Sequence, residues 1–330
     1  MAQENKKVGF GVIGCGRVFN RAHGPMLNGK LSSLKAVFDP DIKAAKEAAS
    51  KFGCEVKTSL GDLLQDPDIS VVNICTPHDT HTELIVKVLD AGKYCLCEKP
   101  LCLTEQEAAK IASHQNIDKL FTLYQNRFNT AVRFLSDIVR KGELGQLRLC
   151  SVALRWWRPD DYFVDWHGQK KRVGGMLFNQ AAHILDIMRM VCGEAESVHN
   201  ITRTFRNGTD VDDVSVANVL FKNGIVGNVE VTTYARPKDW EVSILVVGDK
   251  GVVKIGGLSV NEVEYAAIEG KDVSGARQQY SEEIPDGYGN SHPRVFEALS
   301  AYILKGEWHP CLVSGKEGTE TSKFITKFYE

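Results

Sequence analysis

Two clusters of polar residues have the types and spacing needed for chemistry on an alcohol. The first is Glu98-Lys99-Pro100, which directly follows the apolar stretch 93–97. A lysine at the carboxyl end of a buried strand could bond a reacting hydroxyl and stabilise the charge that develops on its oxygen. Pro100 restricts the backbone of Lys99 and permits a cis peptide bond. A surface Glu/Lys pair ahead of a loop proline is the alternative interpretation.

The second cluster lies in the stretch 174–186, which begins with Gly174-Gly175 and contains Asn179, His183 and Asp186. On a helix, Asn179 and His183 are four residues apart and share a face, and Asp186 could orient the imidazole ring. An amide that binds hydroxyls and an imidazole that moves a proton suit alcohol oxidation. A core histidine satisfied by Asp186 is the alternative.

A glycine turn near the N-terminus is typical of dinucleotide binding. The apolar run 8–13 leads into the candidate cofactor residues Gly14, Cys15, Gly16, Arg17 and Val18. Gly14 allows a tight turn, and Gly16 lets the backbone approach a pyrophosphate. A helix that begins near Arg17 offers free N–H groups and a positive dipole end to that anion. Phe19 occupies the position of the third glycine, so a plain strand-to-helix turn is the alternative.

Asp39 favours NAD over NADP as the cofactor. It ends the predicted strand 34–38, at roughly the distance expected for a carboxylate that bonds the adenosine ribose. A carboxylate accepts hydrogen bonds from a free ribose diol and repels a 2′-phosphate.

The first third of the chain alternates between predicted strands and helices. Strands at 70–75, 93–97 and 120–124 follow that at 34–38, with helices at 41–52, 60–65 and 82–91 and a helix capped by Thr104 and Glu107. This order predicts a doubly wound parallel sheet that binds ligands at the carboxyl ends of its strands. Other candidate cofactor residues at that edge are Thr76, Pro77, His78, His81, Glu98, Lys99, Gln125 and Arg127. Ordinary loop polarity is the alternative for the residues at 76–81.

After residue 126 consecutive strands replace the alternation. Helices are predicted at 131–141, up to Val191, at 293–304 and at 318–328, and strands at 147–157, 198–205, 214–221, 225–234, 241–248, 251–255 and 258–265. This predicts an α/β domain with a large open antiparallel sheet over residues 127–330, after a dinucleotide-binding domain over 1–126. The loop residues Trp156, Trp157, Arg158, Tyr162–His167 and Lys170–Arg172 suit a nucleotide sugar or an oligomer surface.

Composition excludes several classes of protein. The chain has 330 residues and a net charge of -2, which does not indicate a nucleic-acid surface. No apolar stretch approaches a membrane span, and residues 1–7 do not resemble a signal peptide. Nine scattered cysteines predict reduced thiols and a cytoplasmic protein. Cys95 and Cys97 lack further ligands at a spacing suited to zinc, so no metal site is expected.

In their order along the chain, these motifs resemble the Gfo/Idh/MocA oxidoreductase family. The resemblance rests on the glycine turn, Asp39, Thr76-Pro77, Glu98-Lys99-Pro100 and the stretch from Gly174 to Asp186. It implies a Rossmann domain followed by an α/β domain with an open sheet, and catalytic roles for Lys99 and His183. The usual family pattern has aspartate where this chain has Asn179.

With Asn179 at this position, the chain is similar to one branch of the family, the UDP-N-acetylglucosaminuronate 3-dehydrogenases. The similar stretches are 125–129, 157–162, 166–168, 179–183 and 256–262. The resemblance implies that NAD oxidises the C3 hydroxyl of UDP-N-acetylglucosaminuronic acid in the biosynthesis of bacterial surface polysaccharide, such as the O-antigen of lipopolysaccharide. A pyridoxal-phosphate aminotransferase would then use the 3-keto sugar. Some branch members hold NAD tightly and recycle it with 2-oxoglutarate, and the family implies a homotetramer.

The resemblance implies that Lys99 donates a hydrogen bond to the C3 oxygen of the sugar, and that either Lys99 or His183 accepts the proton of the C3 hydroxyl. Asn179 and Trp166 would contact the sugar, and Arg127 its carboxylate or diphosphate. A dehydrogenase of a free sugar or inositol, using NAD or NADP, is one alternative. A regulator that binds the dinucleotide without catalysis is another.

Overall fold

The computed structural model describes residues 7–330. The expectation that residues 1–7 are not a signal peptide concerns residues that lie, except for residue 7, outside the described part of the chain. The strands are β1 (Val8–Ile13), β2 (Ser32–Phe38), β3 (Glu55–Val56), β4 (Val71–Ile74), β5 (Tyr94–Glu98), β6 (Leu120–Leu123), β7 (Leu147–Arg155), β8 (Ala195–Arg203), β9 (Val214–Phe221), β10 (Val226–Thr232), β11 (Glu241–Gly248), β12 (Gly251–Gly256), β13 (Glu262–Ile268) and β14 (Val313–Ser314).

The helices are α1 (Gly24–Met26), α2 (Ile42–Phe52), α3 (Leu60–Gln65), α4 (His81–Asp90), α5 (Glu105–Ala112), α6 (Thr130–Arg140), α7 (Lys170–Val173), α8 (Ala182–Cys192), α9 (Ala276–Tyr280), α10 (His292–Lys305) and α11 (Gly315–Thr326). Two π-helical turns, Phe19–His23 and Leu177–Ala181, directly precede α1 and α8. No helix within 7–330 is both long enough and apolar enough to span a membrane.

The chain divides into two compact units. One runs to Gln125 and includes Ser291–Glu320; the other comprises Asn126–Asn290 and Thr321–Glu330. The break after Gln125 lies next to the predicted boundary at residue 126, but Ser291–Glu320 groups with the first unit rather than with the second. The reason is that β14 pairs with β6 and α10 packs against β1 and β2.

The first unit contains a sheet with strand order β14-β6-β5-β4-β1-β2-β3. All neighbours are parallel except β14 and β6, and β14 rather than β6 forms this edge of the sheet. Every residue of β1 and β4 is buried, as expected for parallel strands covered on both faces. The predicted capping box at α5 is confirmed, with Thr104 and Glu107 each bonding the other's backbone.

The second unit contains a sheet with order β13-β12-β11-β7-β10-β9-β8. It is antiparallel except for the pair β7 and β10. Buried and exposed positions alternate along β9, and α8 packs against β7. Together the two sheets confirm the predicted fold class.

One strand of this sheet begins later than predicted. β13 starts at Glu262, whereas the sequence pattern indicated a strand from residue 258. Val260 has a φ of 50°, a left-handed conformation that is incompatible with an extended strand. The intervening chain is fixed by Asn261, whose Oδ1 accepts from the Ser259 N–H at 3.1 Å.

Candidate active site

The glycine turn after β1 has the geometry that a dinucleotide phosphate requires. Gly14 has a φ of 97°, and a Cβ there would lie 2.5 Å from the carbonyl oxygen of Cys75. A Cβ on Gly16 would meet nothing within 4 Å, so the backbone is open at this point. The chain becomes helical at Arg17, so the start of the helix directly follows the open glycine, as in an anion-binding turn.

Asp39 connects the end of β2 to this turn. Its Oδ2 accepts the backbone N–H of Cys15 at 2.8 Å, and its Oδ1 accepts that of Asp41 at 2.9 Å. Burial, with a contribution from Asp39, raises the pKa of the Cys15 thiol to about 12, so this thiol is neutral. The carboxylate therefore both fixes the turn and remains half-buried at the cofactor edge.

The loop after β4 is braced by its own side chains. The hydroxyl of Thr80 donates to the carbonyl of Pro77 at 2.7 Å, so Thr76 donates to the Thr80 oxygen at 2.6 Å. The ring nitrogens of buried His81 lie 2.7 Å from the Pro100 carbonyl and 2.9 Å from the Thr76 carbonyl. Burial lowers the pKa of His81, which favours a neutral ring that donates to one carbonyl.

His78 is buried, and its ring centroid lies 5.7 Å from that of His81. Both histidines were predicted to contact the cofactor. The carbonyl contacts of His81 hold its ring in this loop, and contact of either histidine with the cofactor stays a prediction.

Glu98 ends β5 and is bound from two sides. Nδ1 of His23 lies 2.7 Å from the amide nitrogen of Asn73, which can only donate. Nε2 of His23 therefore carries the proton and donates to Glu98 at 2.7 Å. The other Glu98 oxygen accepts the backbone N–H of Lys99 at 3.2 Å, and the Lys99-Pro100 bond is cis.

These contacts keep Glu98 ionised although it is buried. Burial alone would raise its pKa, but the hydrogen bond from His23 and nearby positive charge lower the pKa to about 2. His292 lies beside the pair, and burial lowers its pKa to about 3. One oxygen or nitrogen from each of His23, Glu98 and His292 lies within 4.8 Å of the others, a spacing that could hold a metal. Hydrogen bonds already use both nitrogens of His23, and the absence of a metal site stays a prediction.

Gln125 follows β6 at the same edge of the sheet. Its side chain is buried, and its Oε1 has no hydrogen-bond partner among the described residues. An unpaired buried amide oxygen carries a free-energy cost that a bound donor would remove. The predicted cofactor role of Gln125 fits this observation.

In the second unit, Asn179 lies on the π-helical turn Leu177–Ala181, and His183 lies one turn later on α8. The amides of Asn179 and Gln180 both donate to the hydroxyl of Tyr162, at 3.1 and 2.9 Å. Gln180 also accepts from Nε of Arg158 at 3.2 Å. Asn179 and His183 are both half-buried. Turns of this π type are frequent at functional sites.

Asp186 does not serve as the predicted partner of His183. Its carboxylate accepts from Nε and Nη2 of Arg127, at 2.6 and 2.7 Å, and from the hydroxyl of Thr321 at 2.9 Å. Asp186 is fully buried and Arg127 is 4% exposed. A guanidinium stays charged and matches a carboxylate with two bonds, so it outcompetes an imidazole for this site. Arg127 is thus committed to Asp186 rather than presented to an anionic ligand.

The loop around Trp156 and Trp157 places arginines over aromatic rings. Arg158 lies 4.6 Å from the ring centroid of Trp156, and Arg236 lies 4.3 Å from that of Trp157. The predicted substrate residue Trp166 stacks on His167 with a centroid distance of 4.0 Å. Arg236 is not among the residues predicted from the sequence, because it follows β10 and is distant from the loop along the chain.

Comparisons with known proteins place these features in a family. Residues 8–119 match the model of an oxidoreductase family with an NAD-binding Rossmann fold, and residues 132–254 match the model of the GFO/IDH/MocA C-terminal domain. Together the two models cover more than half of the chain.

Individual proteins support the same relationship. Inositol 2-dehydrogenase of Rhizobium meliloti is 29% identical over 91% of this chain and 89% of its own length. The WlbA dehydrogenase of Chromobacterium violaceum, solved with NADH and UDP-GlcNAcA, is 27% identical with a TM-score of 0.88 over 99% of this chain and 94% of that one. WlbA of Bordetella pertussis, solved with the same two ligands, is 26% identical with a TM-score of 0.90 over 99% and 96%.

Proposed function

Because this chain belongs to the Gfo/Idh/MocA family of NAD-dependent oxidoreductases, we propose that it oxidises the C3 hydroxyl of UDP-N-acetylglucosaminuronic acid to the 3-keto sugar. The coarser activity, dehydrogenation of a sugar-type alcohol with NAD, is the activity of the family. The finer proposal is carried by the likeness to two WlbA dehydrogenases, each solved with NADH and UDP-GlcNAcA, over 99% of this chain.

The residues of the first unit fit NAD. The open backbone at Gly16 and the helix start at Arg17 would hold the pyrophosphate, and the half-buried carboxylate of Asp39 would accept the ribose hydroxyls. The unpaired Oε1 of Gln125 would accept a donor at the carboxyl edge of the sheet. When bound, NAD supplies the hydride acceptor.

Lys99 is the proposed hydrogen-bond donor to the C3 oxygen. Its backbone N–H is fixed by the Glu98 carboxylate, which His23 holds in turn. In this proposal either Lys99 or His183 accepts the C3 proton, because an amine and an imidazole can each act as a general base. Asn179 positions sugar hydroxyls while Tyr162 orients its amide.

Arg127 has a different role in this proposal from that in the sequence-based hypothesis. Its bonds to Asp186 make it a residue that positions α8, not a ligand of the carboxylate or diphosphate. The arginines stacked on Trp156 and Trp157 are the better candidates for the diphosphate, with Trp166 beside the sugar nucleotide.

The first test is mass spectrometry of the purified protein with UDP-N-acetylglucosaminuronic acid, NAD and 2-oxoglutarate. We expect a uronate product two hydrogens lighter than the substrate. Formation of 2-hydroxyglutarate in the same tube would add cofactor recycling, and its absence would remove recycling alone. If the protein binds NAD but converts none of the uronate, the proposed substrate is wrong.

Two variants separate the proposed catalytic residues. Lys99→Ala should abolish turnover and leave NAD binding intact, whereas Lys110→Ala, which changes an exposed lysine on α5, should remain active. His183→Asn should lower kcat by about a hundredfold or more, since a hundredfold is the lower end of the range for acid–base catalysis. An increase in KM alone would make His183 a binding residue.

A second candidate is a dehydrogenase of free inositol or a free sugar. The similarity to inositol 2-dehydrogenase over 91% of this chain favours it. A ligand that binds only the folded state stabilises it, and at equal concentration the ligand that binds more tightly stabilises it more. Heat protection by UDP-sugars but not by free sugars would exclude this candidate, and the reverse pattern would exclude the nucleotide sugar.

The proposed product also defines the next reaction. A 3-keto sugar is the substrate that a pyridoxal-phosphate aminotransferase requires, so we place such an enzyme after this one in surface-polysaccharide synthesis. A homotetramer remains part of the proposal, and light scattering would test it.

A further inference from the structure

The helix that carries Asn179 and His183 begins against a carboxylate and a phenol. The backbone N–H of Met176 donates to Oδ1 of Asp212 at 3.2 Å, and that of Leu177 donates to the hydroxyl of Tyr329 at 3.0 Å. The Tyr329 hydroxyl donates in turn to Oδ2 of Asp212 at 2.9 Å. Two of the N–H groups that a helix start leaves without helical partners are thus satisfied. We call this arrangement of Asp212 and Tyr329 the helix clasp.

The helix clasp places a carboxylate at the N-terminus of the helix, where the helix dipole is positive. Asp212 is 3% exposed, and its carboxylate faces the positive end of the helix dipole. Burial and the nearby Asp212 charge raise the pKa of Tyr329, so its hydroxyl keeps the proton that it donates. Lys170 Nζ lies 4.9 Å from the Tyr329 ring centroid and adds positive charge on that side.

Gly175 makes room for the helix clasp. Its φ is 116°, and a Cβ there would lie 2.4 Å from the Tyr329 hydroxyl and 2.8 Å from Oδ1 of Asp212. The Tyr329 ring is also fixed by Phe178, with a centroid distance of 6.0 Å and an interplanar angle of 8°. The second glycine of the Gly174-Gly175 pair is therefore required by contacts that come from distant parts of the chain.

We propose that Asp212 and Tyr329 are positioning residues, which set the first turn of this helix and thereby the placement of the Asn179 amide and the His183 imidazole. The π-helical turn that carries Asn179 directly follows the clasp, and α8, which carries His183, directly follows that turn. The proposal rests on the catalytic role proposed above for His183. It assigns to the clasp no contact with substrate or cofactor.

The test is a double-mutant cycle between Tyr329→Phe and His183→Asn. Tyr329→Phe removes one hydroxyl and keeps the ring stacked on Phe178. We expect kcat to fall about tenfold with KM changed less than about twofold, since misplacement of a reacting group lowers the rate of the chemical step. In the His183→Asn background the same change should have almost no effect on kcat.

Tyr280→Phe is the matched control. Tyr280 also stacks on a phenylalanine of the same unit, Phe134, with a centroid distance of 4.6 Å. This variant should keep kcat and KM, and it shows the cost of removing a tyrosine hydroxyl away from the clasp. Equal tenfold losses with and without His183, or no loss at all, would overturn the proposal.

A second readout does not require turnover. Hydrogen exchange of the Met176 and Leu177 amides in the NAD-bound protein should accelerate at least tenfold in Tyr329→Phe, and the NMR signals of the His183 ring should shift. Unchanged exchange and ring signals would overturn the clasp. If both change while no sugar is converted, the clasp stands and the proposed substrate fails.

Discussion

At the scale of single residues, the carboxylate of Asp39 has two roles. It fixes the glycine turn through the Cys15 N–H, and in the proposed function it binds the ribose of NAD. We expect Asp39→Asn to raise the Kd of NAD about tenfold or more, since hydrogen bonds to a charged group contribute about 1.5–3 kcal/mol. Binding of NADP should weaken less, because the repulsion of its 2′-phosphate is lost. Fluorescence titration of both dinucleotides measures this difference.

Asp41→Asn is the control, because this exposed residue caps α2 and asparagine caps equally well. It should leave both Kd values unchanged. An Asp39→Asn variant with unchanged preference for NAD would contradict the assignment.

His292 is a buried group whose protonation opposes folding. Burial lowers its pKa from 6.5 to about 3, so the unfolded chain takes up the proton first as the pH falls. Its contribution to stability is complete above about pH 6.5 and is lost as the pH falls toward about 3. The contribution of Glu98 to the free energy of unfolding is also lost as the pH falls, but at lower pH, between its ordinary pKa of 4.5 and its folded-state pKa of about 2.

Urea unfolding between about pH 5 and 7 measures the contribution of His292, because Glu98 loses its contribution only at lower pH. The free energy of unfolding of the wild type should fall relative to His292→Gln as the pH decreases, by at most about 1.4 kcal/mol per pH unit. His199→Gln, which changes an exposed position on β8, should follow the wild-type curve. Parallel curves for wild type and His292→Gln would refute the assignment.

At the scale of elements, the buried pair of Arg127 and Asp186 fastens α8 to the turn before α6. Removing one partner leaves a buried charge, so Asp186→Asn should reduce the free energy of unfolding by about 3–5 kcal/mol. Arg127→Met combined with Asp186→Leu should regain more than half of that loss, because no charge is then stranded. Urea unfolding gives the three values.

The exposed pair of Arg148 and Asp249 is the comparison. Asp249→Asn should cost less than about 1 kcal/mol, because water screens a surface ion pair. A double variant less stable than Asp186→Asn would show that the ion pair itself provides net stability.

Elements with a strong local pattern could be predicted from sequence, and those set by distant contacts could not. β9 and β11 begin and end at the predicted residues, because each is an apolar run that is followed by a clear turn sequence, Asn223-Gly224 or Asp249-Lys250-Gly251. β14 has two residues and no pattern of its own, since pairing with β6 alone makes it a strand. Asp186 had a plausible local partner in His183, but Arg127, 59 residues away, binds it instead. The roles of Asp212 and Tyr329 have no local signal.

At the scale of the whole molecule, none of the nine cysteines forms a disulfide, and six are buried. Burial raises thiol pKa values, for example that of Cys54 to about 11, and so suppresses the reactive thiolate. At pH 7.5 we expect no more than the half-buried Cys54, Cys75 and Cys311 to react with a thiol reagent, and all nine after unfolding in urea. Mass spectrometry counts the labels. A melting temperature that falls on addition of a reductant would contradict this picture.

The return of residues 291–320 to the first unit has a consequence for how the chain folds during synthesis. The NAD-binding unit leaves the ribosome first, yet β14 and α10 are made only after stretch 126–290. At ordinary rates of translation that stretch takes roughly ten to thirty seconds. During this interval the β6 edge has no partner strand and can pair with another nascent chain. The first unit to emerge is therefore completed only after the sheet of the second has been synthesised.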